Sequence, residues 1–475
     1  MAEGLLRGGE YEIVQADLVL STGKVIGLKA SILNLTIFED IEQLSLTGQV
    51  VIQDAMNLAS TGPIIGQEYF RLKIRTPTAV GVENILDYTE NAFMVTSLEM
   101  RERNSGGTQV SILSFCSREF VINQRATVRR TLVGSYSDIV EQMLRKDLDS
   151  KKKFFNEPSS ESKKIISPNI RPFGVIDMAM RRAVSYQHSD PTYLFFENTR
   201  GYNFRTLGHL YTGQVKMKYT KSVAGTITDG KGATDVERNL HNIENYVISG
   251  APDIIYNYRS GIYSSEMLVH DIISKSYQKY TYNYLMDFNN ERHVDSATGR
   301  KTYPLANPLP LTADGKRIDS FPAKQYLQPT TSFANDTAFQ DDYYNMPYTP
   351  HTPQESSQKR NSQLAMLETG LQVNIDVLGT TVLAAGDIVE CNIPFTGTYT
   401  TTENDKYDRL YRGKFLVKAL RHDFNGASRE HKVSMNLCKD NLLEPIGAPS
   451  DNFEPQSNKS KGTTYEEWDN AGFDD

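Results

Sequence analysis

The sequence has few cysteines and a single tryptophan, and the cysteines limit what the protein can be. Its three cysteines, Cys116, Cys391 and Cys438, are odd in number and far apart in the chain. This spacing argues against a disulfide framework and favours a reducing compartment. Each cysteine lies in an apolar, strand-like context, so we predict three buried thiols that pack as small apolar side chains.

Long apolar runs and an excess of basic residues are also absent. No stretch of about 18 apolar residues occurs, so we expect no transmembrane helix. The opening sequence MAEGLLRGGEYE lacks a basic region followed by an apolar stretch, which excludes a secretory signal there. The formal net charge is −7 and the pI about 5.7, which provides no global basic surface for nucleic acid or a membrane.

The composition is that of a folded, strand-rich protein. The chain has 475 residues, of which 39% are apolar and 10% aromatic. Its 26 Tyr and 20 Phe, together with many Val, Ile and Thr runs, favour β-strands. A chain of this length is too long for one core, and the usual domain size predicts about three domains.

A strand-rich stretch near the N-terminus, Leu35 to Gln67, is the clearest structural pattern. It opens with the apolar strand Leu35–Phe38, and a second strand, Leu46 to Gln53, follows an acidic break. Gly48 lies on the apolar face of that second strand, where it predicts a bulge or a close approach of another group. The stretch has no His or Cys and no phosphate-binding loop, so we interpret it as a scaffold.

Helical periodicity appears in the middle of the chain. Ser135 and Asp138 precede apolar residues at helical spacing, which predicts a capped helix after Thr131. Further helices are expected over Pro172–Val184 and Val236–Val247, and another contains Leu364, Met366 and Leu367. A hairpin is predicted from the aromatic strands Tyr193–Glu197 and Tyr202–Arg205.

The two strand-rich ends of the chain carry an internal repeat. Phe93 lies 23 positions before Cys116, and Phe415 lies 23 positions before Cys438. Each pair encloses a polar turn, NSGG in one copy and NGAS in the other, and ends in an apolar strand. Matching spacing across two hairpins favours two copies of one small β-barrel in a single chain.

Upstream segments extend the match. Gly66-Gln67 and Gly386-Asp387 each lead into an apolar strand, and the gaps from each glycine to the following repeat phenylalanine are 27 and 29. Thr-Gly-Gln-Val occurs at 47–50 and at 212–215, which either marks the first strand of each copy or is coincidence.

Candidate catalytic and metal-binding patterns are weak. Gly225–Gly232 fits G-x-x-x-x-G-K but has Gly where a phosphate-binding loop needs Ser or Thr, so a polar loop is favoured. His422, His431 and Cys438 fall close together without a zinc-type spacing, which favours structural or surface histidines. His188-Ser189-Asp190 lacks the context of a hydrolase nucleophile.

Carboxylates leave one enzymatic alternative open. Glu197 and Asp408 would form a glycosidase pair only if the fold placed them at a suitable separation, and sequence does not determine that distance. We expect Glu197, at a strand end beside a turn, to be exposed. The basic run Lys151–Lys153 opens a polar segment that continues to Pro168, and acidic residues interrupt it, which favours a solvated loop.

The chain resembles the baseplate central hub proteins of contractile-tailed (myovirus-type) bacteriophages, the adaptors between tail tube and spike. The resemblance is carried by IFEDIEQLSLTGQVVIQDAMNLASTGPIIGQE at 37–68, YLFFENTRGYNFRTL at 193–207, LQVNIDVLGTTVLAAGDIVECNIP at 371–394 and LYRGKFLVKALRHDF at 410–424. It is spread over most of residues 25–440. These are strand patterns rather than catalytic signatures.

The resemblance implies a structural virion protein of the tail baseplate, assembled in the bacterial host cytoplasm. It implies a homotrimer whose two tube-type barrels per chain form a pseudo-hexameric ring. Expected partners are the central spike, the tail tube, and the baseplate wedge and tape-measure proteins, and DNA would pass through the lumen without specific binding. No enzyme activity, cofactor, metal or membrane insertion is predicted.

The predicted fold class is α+β, predominantly antiparallel β, with two similar small β-barrels and inserted α+β domains. Alternative functions are a tail-associated peptidoglycan hydrolase or a receptor-binding tail protein. Tyr465 and Trp468 in the polar C-terminal tail are candidate partner-binding residues, or simply disordered aromatics. The predicted division is 1–22 arm, 23–119 first barrel, 120–211 inserted α+β domain, 212–250 start of the second barrel with a crossover helix, 251–360 inserted strand- and loop-rich region, 361–445 remainder of the second barrel, and 446–475 tail.

Overall fold

The structure is a computed structural model, and it describes twelve stretches of the chain. These are residues 9–54, 64–76, 84–103, 109–160, 162–221, 239–250, 253–271, 275–296, 299–306, 321–330, 353–394 and 407–445.

The described residues fold mainly into antiparallel strands with a smaller number of short helices. The strands are β1 Glu12–Val19, β2 Val25–Gly27, β3 Ile32–Asp40, β4 Thr47–Asp54, β5 Tyr69–Thr76, β6 Asn84–Arg103, β7 Gln109–Ser117, β8 Thr131–Ser135, β9 Phe154–Asn156, β10 Ser162–Ile166, β11 Tyr193–Asn198, β12 Gly201–Thr206, β13 Val215–Thr220, β14 Ile243–Gly250, β15 Ser264–Asp271, β16 Ser276–Asn283, β17 Tyr303–Pro304, β18 Lys324–Thr330, β19 Leu371–Leu378, β20 Ile388–Pro394, β21 Tyr407–Asn425, β22 Glu430–Lys439 and β23 Asn441–Leu442. The helices are α1 Arg118–Arg125, α2 Tyr136–Gln142, α3 Pro172–Met180, α4 Leu207–Tyr211, α5 Ile254–Ser260, α6 Tyr284–Asp287 and α7 Pro353–Thr369; a π-turn, Met143–Asp147, extends α2, and a 3₁₀ turn, Phe288–Asn290, extends α6.

One large sheet links the two ends of the chain. Within the described residues its main path runs β14-β19-β22-β21-β3-β4-β7-β6-β5-β1-β2, and β20 branches from β21 to pair with β13. We call β1 and β3–β7 unit one, and β13, β14 and β19–β22 unit two. The two units meet where β21 pairs with β3.

Five strands of unit one recur in unit two with the same order and direction and a largely matching register, although β6 and β14 each carry one further bulge, at Met100 and at Ser249, that has no counterpart in the other unit. Met94 lies opposite Cys116 in β6–β7, and Leu416 lies opposite Cys438 in β21–β22. The register of both hairpins shifts at the same point, at Thr96 in one and at Lys418 in the other. The first strand is the exception, since β1 is antiparallel to β5 whereas β13 is parallel to β20. The internal repeat predicted from the 23-residue spacing is therefore confirmed over β3–β7.

Each unit encloses its own apolar core, built from side chains at alternate strand positions. In unit one the core includes Leu35, Ile37, Val50, Phe93 and Phe115, all almost fully buried. Gly48 permits the close approach predicted for it, because a Cβ there would overlap the Phe115 ring. The core of unit two has the same construction, from residues including Val373, Ile375, Phe415, Val417 and Leu437.

An α+β insertion follows unit one. Its helices α2 and α3 pack on the hairpin β11–β12 over one apolar core, and β9 adds a parallel strand to β12. The predicted cap of α2 is confirmed, since the Ser135 side chain accepts the Asp138 N–H and the Asp138 side chain accepts the Ser135 N–H. The predicted helix from Pro172 and the predicted hairpin around Asn198–Gly201 are also confirmed.

A second insertion separates β14 from β19. The strands β16, β15 and β18 form a small sheet, and the helix α7 packs beside it before the chain enters β19. This helix confirms the one predicted around Leu364, Met366 and Leu367. Much of 290–360 lies outside the described residues.

Two sequence-based expectations are corrected by the strands. The helix expected over Val236–Val247 is borne out at 239–240 but is wrong from Ile243 onward, because Ile243–Gly250 is strand β14, where Tyr246, Val247 and Ile248 pair with β19. The two Thr-Gly-Gln-Val segments are not equivalent, since 47–50 lies in β4 whereas 212–215 precedes and enters β13. The two segments therefore match by coincidence.

The three cysteines are free and buried, as predicted. Burial raises the pKa of the Cys116 thiol to about 11 and that of Cys391 to about 12. No described helix is long and apolar enough to cross a bilayer.

Candidate functional site: the seam between the two units

The seam between the units depends on one long strand that changes partner. The first half of β21 pairs with β20 as far as Leu416, and its second half, Ala419–Asn425, pairs with β3. The change occurs at the Lys418 bulge, which bends the strand. One strand thus belongs to the sheet of both units, so the units are joined by continuous backbone hydrogen bonding.

Lys418 also forms ionic contacts at this change of partner. Its ammonium lies 3.1 Å from Glu42, just beyond β3, and it also pairs with Glu368 near the end of α7. Burial disfavours the charged amine, but the two carboxylates outweigh that effect and raise the pKa of Lys418. Its carbonyl oxygen accepts the Ile41 N–H at 3.0 Å. Lys418 therefore connects unit one, unit two and the second insertion.

Two histidines and a glutamate form a buried polar cluster inside the seam. His422 Nδ1 lies 3.1 Å from His431 Nε2, and His422 Nε2 lies 3.4 Å from Glu39 Oε1. The other Glu39 oxygen accepts the Ala385 N–H at 2.8 Å. All three cluster side chains are fully buried, and the His431 ring stacks on Phe424 at 4.1 Å.

The geometry of this cluster is that of a direct hydrogen bond between two rings. A metal bound tetrahedrally to both nitrogens at about 2.0–2.1 Å would hold them about 3.3 Å apart. Burial, reinforced by His422, holds the pKa of His431 well below its ordinary value, so this ring stays neutral at pH 7. Among the described residues, no group of three or more His, Cys, Asp or Glu side chains is placed to bind a metal.

Glu197 is buried, and the expectation that it is exposed is wrong. Its Oε1 lies 2.6 Å from Lys152 Nζ, and its Oε2 accepts the Leu46 N–H at 3.0 Å. Lys152 Nζ also contacts Glu119 Oε2 at 2.8 Å, and Ser150 donates to the other Glu119 oxygen at 2.7 Å. This Glu–Lys–Glu network joins α1, β11 and the chain entering β4.

The same network corrects the expectation of a solvated basic loop at Lys151–Lys153. Lys151 and Lys153 are exposed, but Lys152 points inward and is only 8% exposed. Burial opposes its charge, and the two carboxylates more than compensate, so the pKa of Lys152 is raised. Each Glu197 oxygen accepts a hydrogen bond from a protein donor inside a buried network, an arrangement that stabilises structure.

The β11–β12 turn connects the first insertion to unit two as well. Arg200 makes a bidentate ion pair with Asp387 and donates to the Val382 carbonyl at 2.6 Å. Asn198 donates to the Ala385 carbonyl at 3.0 Å. The insertion therefore contacts unit one through Glu197 and unit two through Arg200, on either side of the seam.

The other candidate catalytic residues are not brought into an active site. Asp190 accepts hydrogen bonds from Thr192 and from the Gly208 N–H, and His188 contacts Arg292 instead of Ser189. Asp408 accepts the Leu410 N–H on an exposed part of β21. The glycine loop 225–232 and the candidate partner residues Tyr465 and Trp468 lie outside the described residues.

Sequence analysis missed Lys418, Glu39 and Lys152 as members of the site. The signal for Lys418 was present, because a charged residue interrupts the apolar run of KFLVKALRHDF at the position that aligns with Thr96. Glu39 was noted only as a strand break, although it belongs to β3. Nothing local in the sequence identified the partner of Lys152, since Glu197 lies 45 positions away.

No protein-family model matches the sequence, and no curated protein matches it. Solved structures do match the fold. A tail protein from Neisseria meningitidis MC58 aligns with TM-score 0.50 and 12% identity, over 91% of this chain and 97% of that one. The chain therefore shares the fold of this tail protein.

Two further matches have lower scores. The 43 kDa tail protein of prophage MuSo2 from Shewanella oneidensis aligns with TM-score 0.48 and 9% identity, over 90% of this chain and 98% of that one. An Escherichia coli component of the type VI secretion system, described as similar to T4 tail proteins gp27 and gp5, aligns with TM-score 0.37 and 8% identity, over 90% and 76% of the two chains.

Proposed function

We propose that the protein is a structural component of a contractile phage tail, a trimeric baseplate hub that joins the sixfold tail tube to the threefold spike. The observation that carries the proposal is the duplicated strand unit, with the same strand order and direction and with a bulge at the equivalent positions Thr96 and Lys418 in both copies. Three chains with two similar units each present six similar surfaces to a sixfold partner and three identical ones to a threefold partner.

In this proposal each unit acts as a small tube-type barrel. Each encloses one apolar core, and unit two brings its outer strands together where Thr220 and Asn242 form an isolated bridge. The domain division set out from the sequence, from the arm 1–22 to the tail 446–475, is part of the proposal. The insertions, anchored by Glu197, Arg200 and Lys418, would transmit force between tube and spike without sliding over the units.

The proposed partners are the tail tube, the central spike, and the baseplate wedge and tape-measure proteins. Tyr465 and Trp468 are proposed to contact one of them. Three chains carry three times −7, or −21, formal charges, and part of this charge lining the lumen would repel DNA and favour its passage over binding. The proposed location is the baseplate of the virion.

We propose no catalytic role. This is supported by the use of both Glu197 oxygens inside a buried ion network. A cell-wall clearing assay with the purified chain tests this part directly. Clearing that is lost in Glu197→Gln would support a peptidoglycan hydrolase instead.

The mass of the purified chain in solution, alone and with its cognate spike protein, tests the hub proposal. Light scattering should give three chain masses, either alone or on addition of the spike. A chain that stays monomeric in both conditions would contradict the proposal.

A further inference from the structure

Among the described strands, the seam between unit two and unit one has no counterpart on the other side of each unit. In the repeat, β6 corresponds to β21 and β14 corresponds to β3. The second half of β21 is paired on both sides, with β22 and with β3. The corresponding half of β6, Ser97–Arg103, is paired with β7 along one edge, and the described residues supply no strand for the other.

Strand β14 is likewise open along one edge. Its start meets β13 at the isolated Thr220–Asn242 bridge, and beyond that bridge β14 pairs with β19 and has no second ladder partner among the described residues. Its residues Val247 and Ile248 are 55% and 44% exposed. An apolar strand edge of this kind is a template for pairing with another chain, and isolated proteins usually blunt it with charge or proline.

Comparison of Ile248 with its buried counterpart in unit one shows that a neighbouring strand is missing beside β14. Ile248 lies opposite Val373, and Ile37 lies opposite Gly48, at equivalent positions of the repeat. Ile37, on a strand paired on both sides, is 0% exposed. The two isoleucines occupy equivalent positions of the two units, and they differ in whether a second strand pairs with the outer edge of their own strand.

We propose that the open edge of β6 in one copy of the chain pairs with the open edge of β14 in the next copy, repeating between chains the seam that β21 and β3 make within one. The proposal rests on the proposed ring and specifies its subunit interface. The contact is head-to-tail, since each chain supplies two different edges, and such contacts form a ring when the rotation closes.

The β21–β3 seam within one chain also predicts the register of the proposed β6–β14 seam between chains. Because β6 has a bulge at Met100 that β21 lacks, counterparts beyond it are assigned through β7: His422 and Asp423 lie opposite Val433 and Lys432, and Arg101 and Glu102 lie opposite the equivalent Ser111 and Val110. Within the seam His422 faces Ile37 and Asp423 faces Thr36. Transferred to the open edges, this register pairs Arg101 with Ile248, and Glu102 with Val247, of the next chain.

The second of these pairs is suited to cross-linking. The equivalent pair of the β21–β3 seam, Asp423 and Thr36, is in side-chain contact, because Thr36 Oγ1 donates a hydrogen bond to Asp423 Oδ1 at 2.8 Å. Glu102 and Val247 are both exposed. Cysteines placed directly opposite in a strand pair fall within disulfide reach, whereas a two-residue shift places their Cβ atoms too far apart.

The experiment is disulfide trapping of the full chain carrying Glu102→Cys and Val247→Cys, with Glu102→Cys and Asn245→Cys as the control shifted by two residues. Mild oxidation should convert most of the first variant into covalent trimers on a non-reducing gel, at least tenfold more than the control, and dithiothreitol should release monomers.

A second variant, Ile248→Lys, should lower the mass of the native protein to that of a monomer. Its control, Ile166→Lys, changes an isoleucine that is 73% exposed on β10 and should leave the mass unchanged.

The outcomes separate this interface from the proposed function. A trimer that fails to cross-link in this register, and that survives Ile248→Lys, would overturn the interface and leave a ring built through other surfaces. A chain that is monomeric even with the spike protein would overturn both. Circular dichroism of each variant confirms that a change in mass does not reflect unfolding.

Discussion

Lys152 provides the sharpest test of how the first insertion is held on unit one. Lys152→Met removes the only cation that contacts Glu119 and Glu197 in the described network, and leaves two carboxylates buried together. The side chains of these glutamates are 5% and 1% exposed, so water does not replace the lost ammonium. Breaking a buried ion pair by removing one partner costs about 3–5 kcal/mol.

Hydrogen exchange followed by mass spectrometry is the appropriate assay, because a chain of several domains does not unfold in one step. The Leu46 amide, which donates to Glu197, should exchange about 100-fold faster or more in Lys152→Met at pH 7, which corresponds to about 3 kcal/mol of local stability. Lys151→Met and Lys153→Met change exposed neighbours and serve as controls. The reasoning is refuted if Lys152→Met behaves like these controls.

Three further predictions concern the cores and the seam. Gly48→Ala should destabilise unit one by about 1–3 kcal/mol in urea unfolding, because the added methyl overlaps Phe115, whereas Gly27→Ala, with only Asp17 nearby at 3.8 Å, should have little effect. The pKa of His431 in the folded state is lowered below 6.5, so protons bind more strongly to the unfolded state. Unit two should therefore lose stability as the pH falls below 6.5. His431→Phe should abolish this pH dependence, and a variant with the pH profile of the wild type would contradict the prediction. The three thiols should resist Ellman's reagent at pH 8 in the folded protein and react fully in denaturant, because all three cysteines are buried. Rapid labelling of the native protein would contradict this and show that the cores are open.

The sequence predicted much of the strand architecture, because strands and their repeats leave periodic signals. Phe93 and Phe415 sit at equivalent register positions because each begins a hairpin of the same length, and equal spacing preserves that information. The capped helix after Ser135 was also predictable, since capping depends on residues only three positions apart. Signals of this kind lie entirely within short segments.

The seam was not predictable in the same way, because its contacts join distant segments. Asp423 contacts Thr36 across 387 positions, and Ala385 contacts Glu39 across 346. The buried charges were misjudged for the same reason. Glu197 beside a turn looks exposed until Lys152 and the Leu46 N–H are placed against it. The helix predicted over Val236–Val247 is present at 239–240, but pairing with β19 makes the segment from Ile243 a strand.

We propose that the chain carries a duplicated unit and that three chains assemble into a ring of six units. Electron cryo-microscopy of the purified oligomer, or of the baseplate that contains it, measures this directly. We expect three chains around a channel, with six strand units at similar radius and the β21–β3 seam alternating with a β6–β14 seam between chains. A closed assembly with any other number of units, or one in which the two units of a chain lie at different radii, would contradict it.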